Sequence, residues 1–546
     1  MHLPVPQAHT TPGSPAPLAV SGKPSTAVRP LPVLSVGLHR RTLFVLVCFA
    51  TITRRSLVMP TDPDVFIHLA AGRWIVEHGR IPYTDPFTST SQGRPWIDHE
   101  WLPQVLMYLL YQTASYRALT LLFTAVILAA CWIAYCSLRR RGVHEVVAAA
   151  VVAWAAILSS PLWGVRIQML TFALASLYLA ALLDYAEGRR RQLWLFVPLS
   201  LLWANLHGGF IVGLLLLGLF AAGTLGQALW LLLRRQTAPA QTQDARALLG
   251  RFAHLAAVGA ACTAISLVNP NGLAMLLYPI THYGGTANPS MKYIAEWQSP
   301  NFHEPLFLVF AAALAALAIV PPARPTAPDE GRPSDSWPLN LCLVVFTIMA
   351  LQSARHLPLF ALAFAAVMGP RLDALARGRL QRERLPESPL FARLNLALLV
   401  GIIGLLLAQP LTREGLQLGR EPLLNPYPVG GVEHLLRTQP PGNLFNTYHW
   451  GGFLMLRLYP TQQPFIDGRA DVHGPDVMDA YMAIATLQPG WREALRRYGV
   501  NTVLIEKDSA LAAALAEDPD WLRTYRGEVE EVFVRRSSLP PPGGPE

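Results

Sequence analysis

The sequence predicts an α-helical polytopic membrane protein with interfacial helices in its first outer loop and a small α/β domain at its carboxyl end. Three observations underlie this expectation. Only 14% of the 546 residues are charged, against about a quarter in a soluble domain. Windows such as Ala118–Leu138 and Gly208–Leu233 hold no charged residue and exceed the roughly 18 apolar residues that read as a bilayer span. From residue 411 onward the long apolar runs stop, and short helix-like and strand-like stretches alternate, as in a small α/β domain.

Residues 1–41 open with a Pro-, Ser-, Thr- and Ala-rich stretch that offers little to a core, as expected of a disordered cytoplasmic tail. The short basic-then-apolar order of a secretory signal is missing from it. Spans are expected near 42–59, 117–138, 144–160, 168–186, 192–206, 208–233, 252–269, 303–320, 338–352, 355–371 and 392–410, about eleven in all. Basic residues gather in the connectors at 139–141, 189–191, 234–251 and 371–384. With the amino terminus in the cytoplasm all four clusters lie inside, which satisfies the positive-inside rule. Arg54 and Arg55, near the outer end of the first span, are the discordant pair.

That register makes 42–410 a transmembrane domain of a plasma (inner) membrane protein and leaves 60–116, 270–302 and 411–546 outside. In the first outer loop, Trp101–Tyr111 is apolar but too short to cross, so an interfacial or re-entrant helix is expected. Phe66–Gly79 reads as a second helix near the membrane surface, closed by its glycine.

The formal charge of +9 sits in those connectors, so it orients the chain in the membrane and does not mark a nucleic-acid partner. All five cysteines lie inside apolar windows, which indicates neither a disulfide framework nor a zinc site.

The chemistry-bearing residues gather on the outer side. The loop TDPDVFIHLAAGRWIVEHGRIPYTDPFTSTSQGRPWIDHEWL, residues 61–102, is rich in acids and imidazoles. Pro63 keeps Asp62 out of helical geometry, so a helix can start near Asp64. Three readings of Asp64 stand open. It caps that helix, it is a general base for an acceptor hydroxyl, or it holds Mg or Mn together with Asp62 and a substrate phosphate. His99 and Glu100 precede the next helix, with no second histidine at the spacing of a zinc motif. Arg166 with Gln168, Asn205 with His207, and Arg355 with His356 sit at outer span ends, and the loop 270–302 adds Glu296. Their convergence on one face points to a shared pocket, and the two arginines suit a phosphate or pyrophosphate. Near the carboxyl end, Asp467, Arg469 and Asp471 form either an ion-pair loop or, with His449 and Trp450, an acceptor-binding surface.

This combination resembles the C superfamily of membrane glycosyltransferases. Its members include the oligosaccharyltransferase catalytic subunit, protein O-mannosyltransferases and the aminoarabinose transferases of lipid A. DPDVFIHLAAGRWIVEHGRIPYTDPFT and the HEWL that follows are similar to a bacterial branch with DPDxWWHLxxGRWIxxHGxIPxxDPFS. Val65 and Phe66 stand where that branch has aromatics. ANLHGGF, NPNG, EWQSPNF and FIDGRADVHG are also similar, and the likeness spans about residues 42–536. NTYHWGGFL loosely resembles the Trp-Trp-Asp-Tyr-Gly signature of oligosaccharyltransferases but lacks its Asp, so peptide-sequon recognition is not implied.

The resemblance implies transfer of a sugar from a polyprenyl-phosphate carrier in the membrane lipid to a glycan, lipid or protein acceptor. It implies an acid of the first outer loop as base or metal ligand, a role that maps onto Asp64 and then Asp62. Arg166, Gln168, His207, Glu296, Arg355, His356, His99 and Glu100 become candidates for substrate binding. His449, Trp450, Asp467, Arg469 and Asp471 would face the acceptor. Mg or Mn is implied for some members, and others work without metal. Two alternatives compete: a transporter or lipid flippase, which predicts internal repeats that the sequence lacks, and a non-catalytic envelope-assembly protein with a degenerate transferase fold.

Overall fold

The computed structural model describes residues 38–57, 62–233, 239–283, 294–322, 337–382, 388–412 and 427–539. The tail expected at the amino end lies outside the described residues up to position 37. The membrane part runs α1 (Arg40–Ser56), α2 (Asp64–His78), α3 (Trp101–Arg140), α4 (Glu145–Ser159), α5 (Gln168–Ala186), α6 (Phe196–Leu206) and α7 (Ile211–Leu233). It continues through α8 (Pro239–Ile265), α9 (Gly272–Tyr283), α10 (Pro305–Ile319), α11 (Trp337–Gln352), α12 (Leu357–Arg382) and α13 (Pro389–Thr412). Each apolar segment read as a span falls on one of these helices.

Among the described residues, six helices, Trp101–Arg140, Glu145–Leu162, Gln168–Ala186, Gly208–Leu233, Gln243–Ile265 and Ala354–Gly378, are long and apolar enough to cross a membrane. The chain is therefore a multi-pass membrane protein. Four further apolar helices, Phe196–Leu206, Phe307–Ile319, Trp337–Gln352 and Pro389–Leu405, have 10–17 residues.

The first outer loop holds two short helical stretches, as expected. Trp101–Tyr111 is set off from the following span by non-helical backbone at Ala114 and Ser115, where Ser115 takes φ 60°, so α3 is two helices joined across a kink. The other, α2, is buried within the protein. Val65 to Ala71 are each at most 4% exposed, because α3 and a helix from the carboxyl-terminal part enclose it. Apart from His68, the stretch Val65–Ala71 is apolar around the helix and so needs cover on every side.

The carboxyl-terminal part comprises α14 (Val429–Thr438), β1 (Asn443–Asn446), α15 (Gly451–Leu458), α16 (Ala470–Ala485), α17 (Trp491–Arg497), β2 (Val500–Glu506), α18 (Ala510–Glu517), β3 (Trp521–Arg526) and β4 (Glu530–Arg535), of which α15 covers α2. The strands form one sheet in the order β1-β2-β4-β3, with β1 parallel to β2 and the other pairs antiparallel. The turn at Gly527 folds β3 back on β4. Alternation along the strands splits the sheet between two cores. Phe445, Val503, Ile505 and Phe533 pack with α16–α18, whereas Leu444, Leu504, Val532 and Val534 join the core that continues into the membrane helices. Here α15 seats on α2: Phe66 meets Phe453 at a ring separation of 5.3 Å and Tyr427 at 4.9 Å. Gly452 permits the approach, because a Cβ there would stand 2.8 Å from the Pro63 carbonyl oxygen. The start of α2 is thus pinned between the membrane part and the sheet-bearing part.

Candidate active site

The turn into α2 organises the site. Asp62 Oδ1 accepts the amide of Asp64 at 2.9 Å, which satisfies one of the N–H groups left over at a helix start. Its other oxygen accepts from Arg166 Nε. Arg166 Nη1 donates to Glu296 Oε2 at 2.7 Å, and Glu296 Oε1 accepts from Arg355 Nη1 at 2.9 Å. The Arg355 guanidinium lies 4.8 Å from the Trp297 ring centre, a cation–π contact. Four charges distant in sequence thus alternate in sign along one chain. Burial opposes ionisation of Glu296, but Arg355 and Arg166 more than offset it and hold its carboxyl below the usual range.

Asp64 is half-buried and takes no part in that chain. Burial, reinforced by the negative charge of Asp62, pushes its carboxyl up to about 7 against the pull of Arg166 and Arg355. The backbone of Gly468, from the loop before α16, lies directly against it: a Cβ on Gly468 would stand 2.9 Å from Asp64 Oδ1.

Asp64 opens on a polar cavity of about 100 Å³ whose walls include His68, Asp98, Glu100, Gln104, Arg469 and Asp471. A second cavity of about 400 Å³ has apolar walls from Leu162, Met169, Phe172, Ile211, Val212 and Leu215, with Arg166, Glu296 and His356 also facing it. The two share His99, Gln168 and Arg355. An apolar chamber therefore adjoins an acidic one, with an arginine at the junction.

His99, Glu100 and His207 bring their ligand atoms within 4.8 Å of one another. The tautomer of His207 does not suit a divalent ion. The backbone N–H of Gly209 donates to His207 Nδ1 at 2.9 Å, so that nitrogen holds no proton and Nε2 does, 3.3 Å from Glu100 Oε1. A neutral imidazole bound to metal through Nε2 needs the reverse, a proton on Nδ1. His99 alone has its Nδ1 toward a carbonyl, that of Ile97 at 3.3 Å. Nor do Asp62 and Asp64 converge as ligands, because both oxygens of Asp62 are engaged and only Asp64 faces the polar cavity. Neither set fits Mg or Mn as arranged.

A second charged cluster locks the outer loop to the carboxyl-terminal part. Arg469 donates to both oxygens of Asp467, at 3.0 and 2.7 Å, and to Asp85 Oδ1 at 2.9 Å. Its guanidinium lies 4.5 Å from the Trp96 ring centre. Asp85 also accepts the amides of Phe87 and Thr88. Although burial opposes its ionisation, Asp467 is held as the anion by Arg469. Ser91, His473 and Asp467 stand in the order of a hydrolase triad, but all three are buried. His473 Nε2 accepts the amide of Asp467 at 3.1 Å, which leaves its Nδ1 proton for Ser91 Oγ at 2.9 Å. With no proton-accepting nitrogen toward the serine, the group is a clamp and not a nucleophile.

The residues expected for the site thus divide. Asp64, Glu100 and Asp471 face the polar cavity, with Asp471 Oδ2 accepting from Tyr278 at 2.7 Å. Arg166, Gln168, His207, Glu296, Arg355, His356 and His99 face the apolar one. Arg469 belongs to the clamp and also lines the polar cavity, Asp467 to the clamp alone, and Trp450 to the core at 1% exposure. His449 pairs with Glu506 at 3.3 Å on the surface, lining neither cavity. The sequence reading assigned no role to His68, Gln104 or Gly468. Helical spacing could have supplied the first two, since His68 follows Asp64 and Gln104 follows Glu100 by four residues, one turn along the same face.

No protein-family model and no curated protein sequence matches the chain. Among solved structures, it is similar to the Archaeoglobus fulgidus oligosaccharyltransferase tethered to an acceptor peptide, with 13% identity over 85% of this chain and 68% of that one, at a TM-score of 0.46. It is likewise similar to Cupriavidus metallidurans ArnT bound to undecaprenyl phosphate, with 14% identity over 92% and 99% of the two chains and a TM-score of 0.46. The mycobacterial arabinofuranosyltransferase AftD gives 14% identity, 91% and 42% coverage, and a TM-score of 0.42.

Proposed function

We propose that the chain is a C-superfamily glycosyltransferase that moves a sugar from a polyprenyl-phosphate carrier to an acceptor hydroxyl on the outer face of the membrane. The observation that carries this reading is the junction of the two cavities, where Arg355 and Gln168 belong to both walls and Asp64 faces the polar side. The apolar chamber suits the first isoprene units. Arg355 and Arg166 suit the phosphate, as paired guanidinium donors do. The polar chamber then receives the sugar.

In this scheme Asp64 accepts the proton of the acceptor hydroxyl as its oxygen attacks the anomeric carbon. The bond from that carbon to the phosphate oxygen breaks, and polyprenyl phosphate leaves with the electron pair. A carboxyl near pH 7 is well matched to this proton transfer. The two arginines meet the charge that grows on the leaving phosphate. No step is assigned to a metal. About eleven spans, a cytoplasmic amino terminus, a plasma (inner) membrane location and an extracytoplasmic domain over 411–546 belong to the same proposal.

The test is carrier binding by the full chain in nanodiscs, titrated with undecaprenyl phosphate. Saturable binding is expected, weakened about 10- to 100-fold in Arg355→Gln, as loss of a charged hydrogen bond implies. Absence of binding, or equal affinity in the variant, contradicts the reading.

A further inference from the structure

The polar cavity is where the fold leaves its hydrogen-bonding groups unmatched. Among the described residues, fourteen buried side-chain nitrogen or oxygen atoms have no hydrogen-bond partner within the protein. Six of them belong to five residues of this one wall: both ring nitrogens of His68, Asp98 Oδ2, Gln104 Oε1, Gln168 Oε1 and Arg469 Nη1. Four of those residues, His68, Asp98, Gln104 and Arg469, are at least nine-tenths buried. Unmatched buried groups are destabilising, so native folds carry few and seldom gather them. The set mixes donors with acceptors: Arg469 only donates, the two amide oxygens only accept, and His68 offers one of each. Hydroxyl groups, which donate and accept at once, complement such a mixture. A phosphate, which only accepts, does not.

The charge of the wall narrows the ligand further. Asp64, Asp98, Glu100 and Asp471 all face this space. Arg469 is already matched by Asp467 and Asp85, and Arg355 serves the carrier phosphate. His68 adds no positive charge, since burial and then His99 hold its ring down to about 3. Burial pushes the Asp98 carboxyl up to about 7, and burial together with Asp98 pushes Glu100 well above its usual range. An added carboxylate would meet acids that already resist their own charge.

We infer that this cavity is the sugar subsite, that it takes an uncharged sugar with free hydroxyls and excludes acidic sugars, and that His68, Asp98, Gln104 and Gln168 determine its specificity. This rests on the carrier reading above, and it adds which sugars the site accepts and which side chains read them. Gln168 stands on the shared wall, so it also fixes where phosphate recognition ends and sugar recognition begins.

The test uses the full chain in nanodiscs and three sets of probes: undecaprenyl phosphate alone, the same carrier bearing each of a panel of neutral hexoses and pentoses, and the carrier bearing hexuronates. The readout is the affinity for each glycosylated carrier divided by that for the bare carrier. At least one neutral sugar is expected to raise this ratio about tenfold or more, which corresponds to a buried hydrogen bond or two. Hexuronates are expected to leave it at or below one. Gln104→Leu and Gln168→Leu, each close in shape to the native side chain, should pull the neutral-sugar ratio down about fivefold or more. Two variants from different helices guard against a folding defect in either, which melting curves would reveal. The inference is overturned if no neutral sugar improves on the bare carrier, if hexuronates gain equally, or if both variants keep the full ratio. Failure of the bare carrier to bind overturns the function itself and the inference with it, a distinct result.

Discussion

Asp62 and Asp64 are two residues apart yet have different tasks, and the pH dependence of the reaction separates them. Asp62 raises the Asp64 carboxyl through its negative charge, second only to burial. Asp62→Asn keeps a carbonyl oxygen to accept the Asp64 amide, so the turn into α2 survives while the charge goes. A unit charge about 6 Å away at an effective dielectric near 20 is worth roughly 2–3 kcal/mol, or about two pKa units. Solvent at a half-buried carboxylate screens part of this, so about one unit is the expected shift. The sign is set by like charge: removing Asp62 eases ionisation of Asp64, and Arg166, relieved of one partner, pulls the same way. Because the base must be ionised, the rate of sugar transfer rises with pH through a midpoint near 7 in the wild type. In Asp62→Asn that midpoint should fall to about 6 with the plateau kept within about tenfold. The assay is single-turnover transfer, or slow donor hydrolysis, between pH 5 and 9. An unmoved or raised midpoint, or complete loss of activity, would refute the division of labour and return Asp62 to the chemistry.

Two further changes test the supports of the site. Gly468→Ala places a methyl 2.9 Å from Asp64 Oδ1 and 3.1 Å from the Ile67 side chain. The carboxylate must move, and turnover should fall about 10- to 100-fold with carrier affinity little changed, as turnover and binding measured side by side would show. Asp85→Ala leaves buried Arg469 short of one partner and two amides without their acceptor. It should cost about 3–5 kcal/mol of stability, the range for breaking a buried ion pair, seen as an earlier melting transition of the chain in nanodiscs. A melting curve within error of the wild type would mean that the clamp contributes little.

How far the sequence foretold this depends on the range of the interactions. The apolar windows located the membrane helices because length and hydropathy are local properties. Arg166, Glu296 and Arg355 were legible as candidates because charge at a span end is costly wherever the partner lies. Their order in one chain of ion pairs was not legible, since it links positions 62, 166, 296 and 355. The burial of α2 was not legible for a similar reason: the covering helix α15 comes from almost 400 residues later. The Asp467, Arg469 and Asp471 stretch read as one loop with one task. Its backbone divides it, sending Asp467 into the clamp and Asp471 to the polar cavity. Gly468, between them, had no signal at all in the sequence, because what matters about it is the side chain it lacks.

The central claim is that Asp64 takes the acceptor proton. The direct measurement compares wild type with Asp64→Asn in nanodiscs, scoring carrier binding and sugar release from polyprenyl-phosphate donors at pH 8. Folding is not expected to suffer. A carboxyl raised from its ordinary value to about 7 contributes stability only while protonated, fully below the unfolded value and lost as pH climbs through the folded one. The amide escapes that loss, so Asp64→Asn should melt no lower than the wild type at pH 8. The account predicts carrier affinity within a few-fold of wild type and release slowed about 100- to 10,000-fold, the usual worth of a general base. Release within a few-fold of the wild-type rate, in a folded variant that binds carrier, would contradict it.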